Sequence, residues 1–107
     1  MKKKGDTMES NENEPLILVV DDTEDNLDLL EFALKRKPVS MLRATSGKEC
    51  LAMAEEKLPD VILLDIQMPE MDGFETLKRL RANSLTAKIP VIFLTAQRKD
   101  PGSIEAG

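Results

Sequence analysis

Leu16-Ile17-Leu18-Val19-Val20-Asp21-Asp22 sets an unbroken apolar run against an acidic pair. A run of this length, aliphatic and without alternating polar positions, is strand material covered on both faces, the habit of parallel sheets. Val61-Ile62-Leu63-Leu64, closed by Asp65, and Val91-Ile92-Phe93-Leu94, closed by Thr95, repeat the form. Val39-Ser40-Met41-Leu42-Arg43-Ala44 mixes polar residues into its run, so it reads as a less buried strand at an edge.

Helix patterns lie between these strands. Thr23 to Lys37 carries Leu27, Leu30 and Leu34 on one stripe and ends in Lys35, Arg36 and Lys37, where the helix dipole favours cations; Pro38 stops it. Ser46 to Lys57 opens on the capping box Ser46-x-x-Glu49 and is expected to bury Cys50, Leu51, Ala54 and Leu58. Asp72 to Asn83 opens on Asp72 as N-cap with Glu75 three residues on, followed by the apolar Phe74, Leu77 and Leu80. Asp100-Pro101 opens a last helix. The alternation predicts an α/β fold: a doubly wound parallel sheet with right-handed crossovers.

Composition excludes several functions. The chain has 107 residues, one domain's worth, with Lys+Arg 15 against Asp+Glu 20 and a net charge of -5, a poor match to a phosphate backbone. It has neither Trp nor Tyr, so base stacking on exposed aromatics is not expected. It has no histidine, which removes Ser-His-Asp and Cys-His triads, His-ligated zinc and a histidine phosphate carrier. The single cysteine, Cys50, forms no internal disulfide and suits a reducing, cytoplasmic setting. No apolar stretch has membrane-spanning length. Residues 1–14 are polar and charged and read as a solvated tail, leaving 15–107 as the folded unit.

In an open parallel sheet, ligands sit beyond the C-terminal strand ends. Those ends carry Asp21-Asp22, Thr45-Ser46-Gly47, Asp65 and Thr95. Each has a plain structural role available: Asp22 as the N-cap of the first helix, Asp65 as a turn former, Thr95 as an ordinary β-branched strand residue. Those roles do not explain why all of them fall on one rim. Three carboxylates held together repel, and a divalent cation removes the conflict. Oxygen ligands without nitrogen or sulfur suit Mg²⁺ or Mn²⁺ rather than zinc. A carboxylate beside such a cation is a competent nucleophile toward phosphorus, and a hydroxyl such as that of Thr95 can hydrogen-bond a phosphoryl oxygen.

Leu18-Val19-Val20-Asp21-Asp22, the block from Leu63 to Gly73 and Val91-Ile92-Phe93-Leu94-Thr95-Ala96 together resemble the three signatures of the receiver domain of bacterial two-component response regulators. The resemblance covers residues 16–107, and the block Asp65 to Gly73 is its most specific part. It implies a flavodoxin-like fold with strand order 2-1-3-4-5. It implies Asp65 as phosphoacceptor, Asp21 and Asp22 as the acidic pair at Mg²⁺, the carbonyl of Gln67 as backbone metal ligand and Thr95 as switch hydroxyl. It implies a sensor histidine kinase or phosphotransfer protein as partner, an unknown output target, and a signalling module rather than an enzyme. Pro69 forces Met68 toward extended geometry, and Gly73 suits a tight entry to the next helix.

The sequence departs from the family pattern at its C-terminal end. A fifth strand with a lysine before a proline, an aromatic switch residue and a fifth helix are absent from this chain, and Lys99 does not match that lysine. The expectation is a fragment or truncated product with a strand order 2-1-3-4. Two other functions compete: a receiver-shaped interaction module that is not phosphorylated, and a haloacid-dehalogenase-like phosphatase. The latter group resembles Asp-x-Asp, whereas Gln67 occupies the second position here.

Overall fold

A computed structural model describes residues 14–94. Its order is β1 (Leu16–Val20), α1 (Glu24–Leu34), β2 (Ser40–Ala44), α2 (Gly47–Lys57), β3 (Val61–Asp65), α3 (Gly73–Ala82) and β4 (Val91–Leu94). The described strands form one parallel sheet in the order β2-β1-β3-β4, which puts the mixed strand at an edge as expected. Thr95, Lys99, the last predicted helix and almost all of the N-terminal tail lie outside the described residues.

Strand pleating divides the side chains between two faces. Leu18, Val20, Ile62 and Leu64 are fully buried and join Ala44, Cys50, Ala54 and Leu80 in one cluster beneath α2 and α3. Val19 points to the other face, where Leu27 of α1 is also fully buried. Register pairs Val19 with Leu63 and Leu63 with Ile92 on that same face. Ile92 is 56% exposed there, against the expectation that this run is covered on both sides. An apolar run specifies a strand, but burial needs a helix above it.

Helix boundaries and some stripes also differ from expectation. α1 ends at Leu34, so Lys35, Arg36 and Lys37 follow the helix instead of forming its last turn. The proline at position 38 disfavours helical geometry at Lys37 and unwinds the approach to it. Leu58 is 52% exposed rather than buried, because it ends α2 in the left-handed region at φ 48 and turns out of the helical stripe. Phe74 is 57% exposed; its ring lies 5.1 Å from that of Phe93 on β4, a lateral contact rather than core packing.

Arg43, on the α1 side of β2, donates to Glu31 at 2.6 Å, Glu24 at 2.8 Å and Asp28 at 3.0 Å. The carboxylates fall at successive turns of α1, so one guanidinium ties most of the helix length to the edge strand. Its hydrogen bonds to Glu31, then Asp28, raise the guanidinium pKa above the ordinary arginine value despite partial desolvation.

Candidate functional site

The sheet register builds the site. Val20 pairs with Leu64, so the next residues, Asp21 and Asp65, leave neighbouring strands side by side. Asp21 is 4% exposed and Asp65 1%, whereas Asp22 is exposed. One carboxylate oxygen from each of Asp21, Asp22 and Asp65 lies within 4.8 Å of the other two. All-oxygen donors at this separation fit a hard divalent cation that keeps part of its water shell, which is the Mg²⁺ pattern.

Local bonds give these acids different tasks. Asp21 accepts from the Thr23 amide at Oδ1 (2.9 Å) and from Asn26 Nδ2 at Oδ2 (3.2 Å). Thr23, not Asp22, is the N-cap residue of α1, and its side chain makes no capping bond. Asp21 therefore shapes the turn into α1, and Asp22 is left facing the rim. Asn26 is a site residue that sequence reasoning missed; its signal is only a position on the first turn of a helix that follows the acidic pair.

At β3, Asp65 Oδ1 accepts from the Gln67 amide at 3.2 Å. That bond bends the chain out of the strand beside the carboxylate. Met68 is buried, Met71 N–H donates to the Pro69 carbonyl at 2.7 Å, and Glu70 takes a left-handed conformation at φ 65. The tight entry expected at Gly73 is present. Gly73 N–H donates to the Ile66 carbonyl at 2.8 Å, and a Cβ here would stand 2.6 Å from the Asp65 carbonyl oxygen. Only glycine allows the first turn of α3 so close to the end of β3. Asp72 Oδ1 then caps α3 by accepting from the Glu75 amide at 2.9 Å.

The described residues thus bring Asp21, Asp22 and Asp65 together and put Gln67 beside them, with its amide on Asp65. Register sets Leu94 opposite Asp65; Thr95 follows Leu94 outside the described residues.

Comparisons with known proteins agree with this fold. The family model described as "Response regulator receiver domain" matches residues 17–106. The chain is similar to the response regulator PleD of Caulobacter vibrioides, 48% identical over 80 residues that make up 75% of this chain and 18% of that protein. It is also similar to protein PilH of Pseudomonas aeruginosa, 33% identical over 82% of this chain and 73% of that protein. A crystal structure of the N-terminal domain of a response regulator receiver protein from Methanoculleus marisnigri JR1 superposes with a TM-score of 0.75 at 44% identity, covering 77% of this chain and 67% of that one. The chain spans about a fifth of the length of PleD.

Proposed function

The chain belongs to the response regulator receiver domains of two-component signalling, and we propose that it is a phosphoacceptor module carrying its phosphoryl group on Asp65. The observation that supports this reading most is the approach of one oxygen from each of Asp21, Asp22 and Asp65 to within 4.8 Å, with Asp65 buried at the end of a central strand. The donor is a phosphohistidine on a sensor histidine kinase or phosphotransfer protein. A carboxylate oxygen of Asp65 forms a bond to phosphorus as the bond from phosphorus to the imidazole nitrogen breaks. The histidine keeps that electron pair and takes up a proton, and Asp65 becomes an acyl phosphate.

Asp22, Asp65 and the carbonyl of Gln67 are the residues that would hold Mg²⁺, with Asp21 nearer the outer shell because both its oxygens already accept bonds from Thr23 and Asn26. Mg²⁺ bound there neutralises charge on the phosphoryl oxygens and the carboxylates. The Gln67 amide holds Asp65 in one orientation, and Asn26 does the same for Asp21. Thr95 supplies a hydroxyl to a phosphoryl oxygen and reports phosphorylation to the surface. The module works in the cytoplasm, passes its signal to an output partner and turns over no substrate of its own. Among the described residues no helix is long and apolar enough to cross a membrane.

Intact-mass measurement with a small acyl-phosphate donor and Mg²⁺ tests the assignment. The wild-type chain gains one phosphoryl group and Asp65→Asn gains none. Labelling that persists in Asp65→Asn moves the site elsewhere, and an unlabelled wild-type chain favours a receiver-shaped interaction module.

A further inference from the structure

We infer that Gly47, at the start of α2 and on none of the segments that carry the acids, is a positioning residue for the metal site; this rests on the Mg²⁺ reading above. Gly47 is buried at the start of α2. A Cβ built on it would collide with Thr76 Oγ1 and stand 2.9 Å from Met71 Sδ. Met71 can yield, since its side chain is long and flexible. Thr76 cannot yield easily: it is fully buried in α3, and its Oγ1 donates to the Asp72 carbonyl at 2.8 Å.

From Thr76 the contacts run without a gap to the phosphoacceptor strand. Asp72 caps α3, and the next residue, Gly73, bonds the Ile66 carbonyl and lies against the Asp65 backbone with no space for a methyl group. The first turn of α3 is thus held between the start of α2 and the end of β3, and glycine makes both contacts possible. At the β3 side the opposing atoms are backbone, which does not move out of the way as a side-chain tip would. A methyl group at position 47 therefore pushes the α3 turn against Asp65 and Ile66 or draws the loop away from them. Mg²⁺ tolerates little departure from its octahedral geometry, so a small shift of Asp65 relative to Asp21 and Asp22 reads out as lost affinity.

Calorimetric titration of the full chain with Mg²⁺ alone tests this, with chemical denaturation run on each variant. Gly47→Ala is expected to weaken Mg²⁺ binding about tenfold, in the range seen when supports of metal ligands are altered. In a Thr76→Ala background, which vacates the contested space, Gly47→Ala should leave affinity within about twofold of Thr76→Ala alone. Lower stability of Gly47→Ala with unchanged affinity makes Gly47 a packing residue only and overturns the inference. So does an equal loss in both backgrounds. Should Gly47→Ala fail to fold, Thr76→Val carries the test: it keeps the volume, loses the bond to the Asp72 carbonyl and is expected to weaken binding severalfold, whereas unchanged affinity overturns the relay. A wild-type chain that takes up no Mg²⁺ overturns the metal reading together with this one, while wild-type binding matched by Gly47→Ala overturns this one alone.

Discussion

The two faces of the sheet are built from the same residue types and have different fates. Under α2 and α3, Leu18, Val20, Ile62 and Leu64 are fully buried in a continuous cluster. On the α1 side, Val19 and Leu27 are as deeply buried, yet Ile92 is 56% exposed and α1 itself presents Leu29 at 67% and Phe32 at 72%. Among the described residues, α1 alone lies on this face, docked toward the edge strand through Arg43, and it does not cover four strands. The energetic weight of an apolar residue here depends on its face more than on its type.

The largest expected effect is pH-dependent and belongs to the covered face. Burial pushes the Cys50 thiol from 9.0 up to about 12. The folded state holds that proton more tightly than the unfolded state does, so the associated stability is complete below about pH 9. It declines as pH rises and is gone by about pH 12, a change of roughly 4 kcal/mol. Urea midpoints measured up the alkaline range should fall more steeply for the wild type than for Cys50→Ala. Equal slopes would show that the thiol is more accessible than its place on the buried face of α2 implies.

Next, Leu64→Ala should cost about 3 kcal/mol in chemical denaturation, because it opens a cavity in the covered cluster. Ile92→Ala, one position before Leu64's β4 partner Phe93 and so on the other face, should cost less than about 1 kcal/mol. Equal costs would mean that both faces are packed alike in solution. A smaller effect is expected for Arg43→Met. The denaturation midpoint should drop modestly at low salt and converge on wild type in concentrated salt, since the three carboxylate partners are exposed and screened. A loss that is independent of salt would make the stem of Arg43, rather than its charge, the tie between α1 and β2. The smallest change is a gain. Leu58→Gly relieves a left-handed cap at φ 48 and removes an exposed leucine, raising stability by about 0.5 kcal/mol after the added flexibility of the unfolded chain is counted.

Much of the site was legible because strand ends are legible. Unbroken aliphatic runs stop abruptly at Asp21 and Asp65, and a parallel sheet sends all such ends to one rim. The caps Ser46 and Asp72 were equally plain, since each needs only a side-chain oxygen within three residues of an orphan amide. Asn26, which holds Asp21, was not legible, because a helix-surface asparagine has no pattern that says what it faces. Nor was the exposure of Phe74, whose place on a helical stripe fits a core residue as well as a lateral partner of Phe93.

The sequence by itself determined the strands, the alternation and the acidic rim, because these follow from local periodicity and from where apolar runs end. Only the tertiary structure decided which apolar residues are covered, which carboxylate shapes a turn and which faces the rim, and why position 47 has no room for a side chain. Those outcomes depend on close approach between segments far apart in the chain, and no local pattern encodes the distance between two helices.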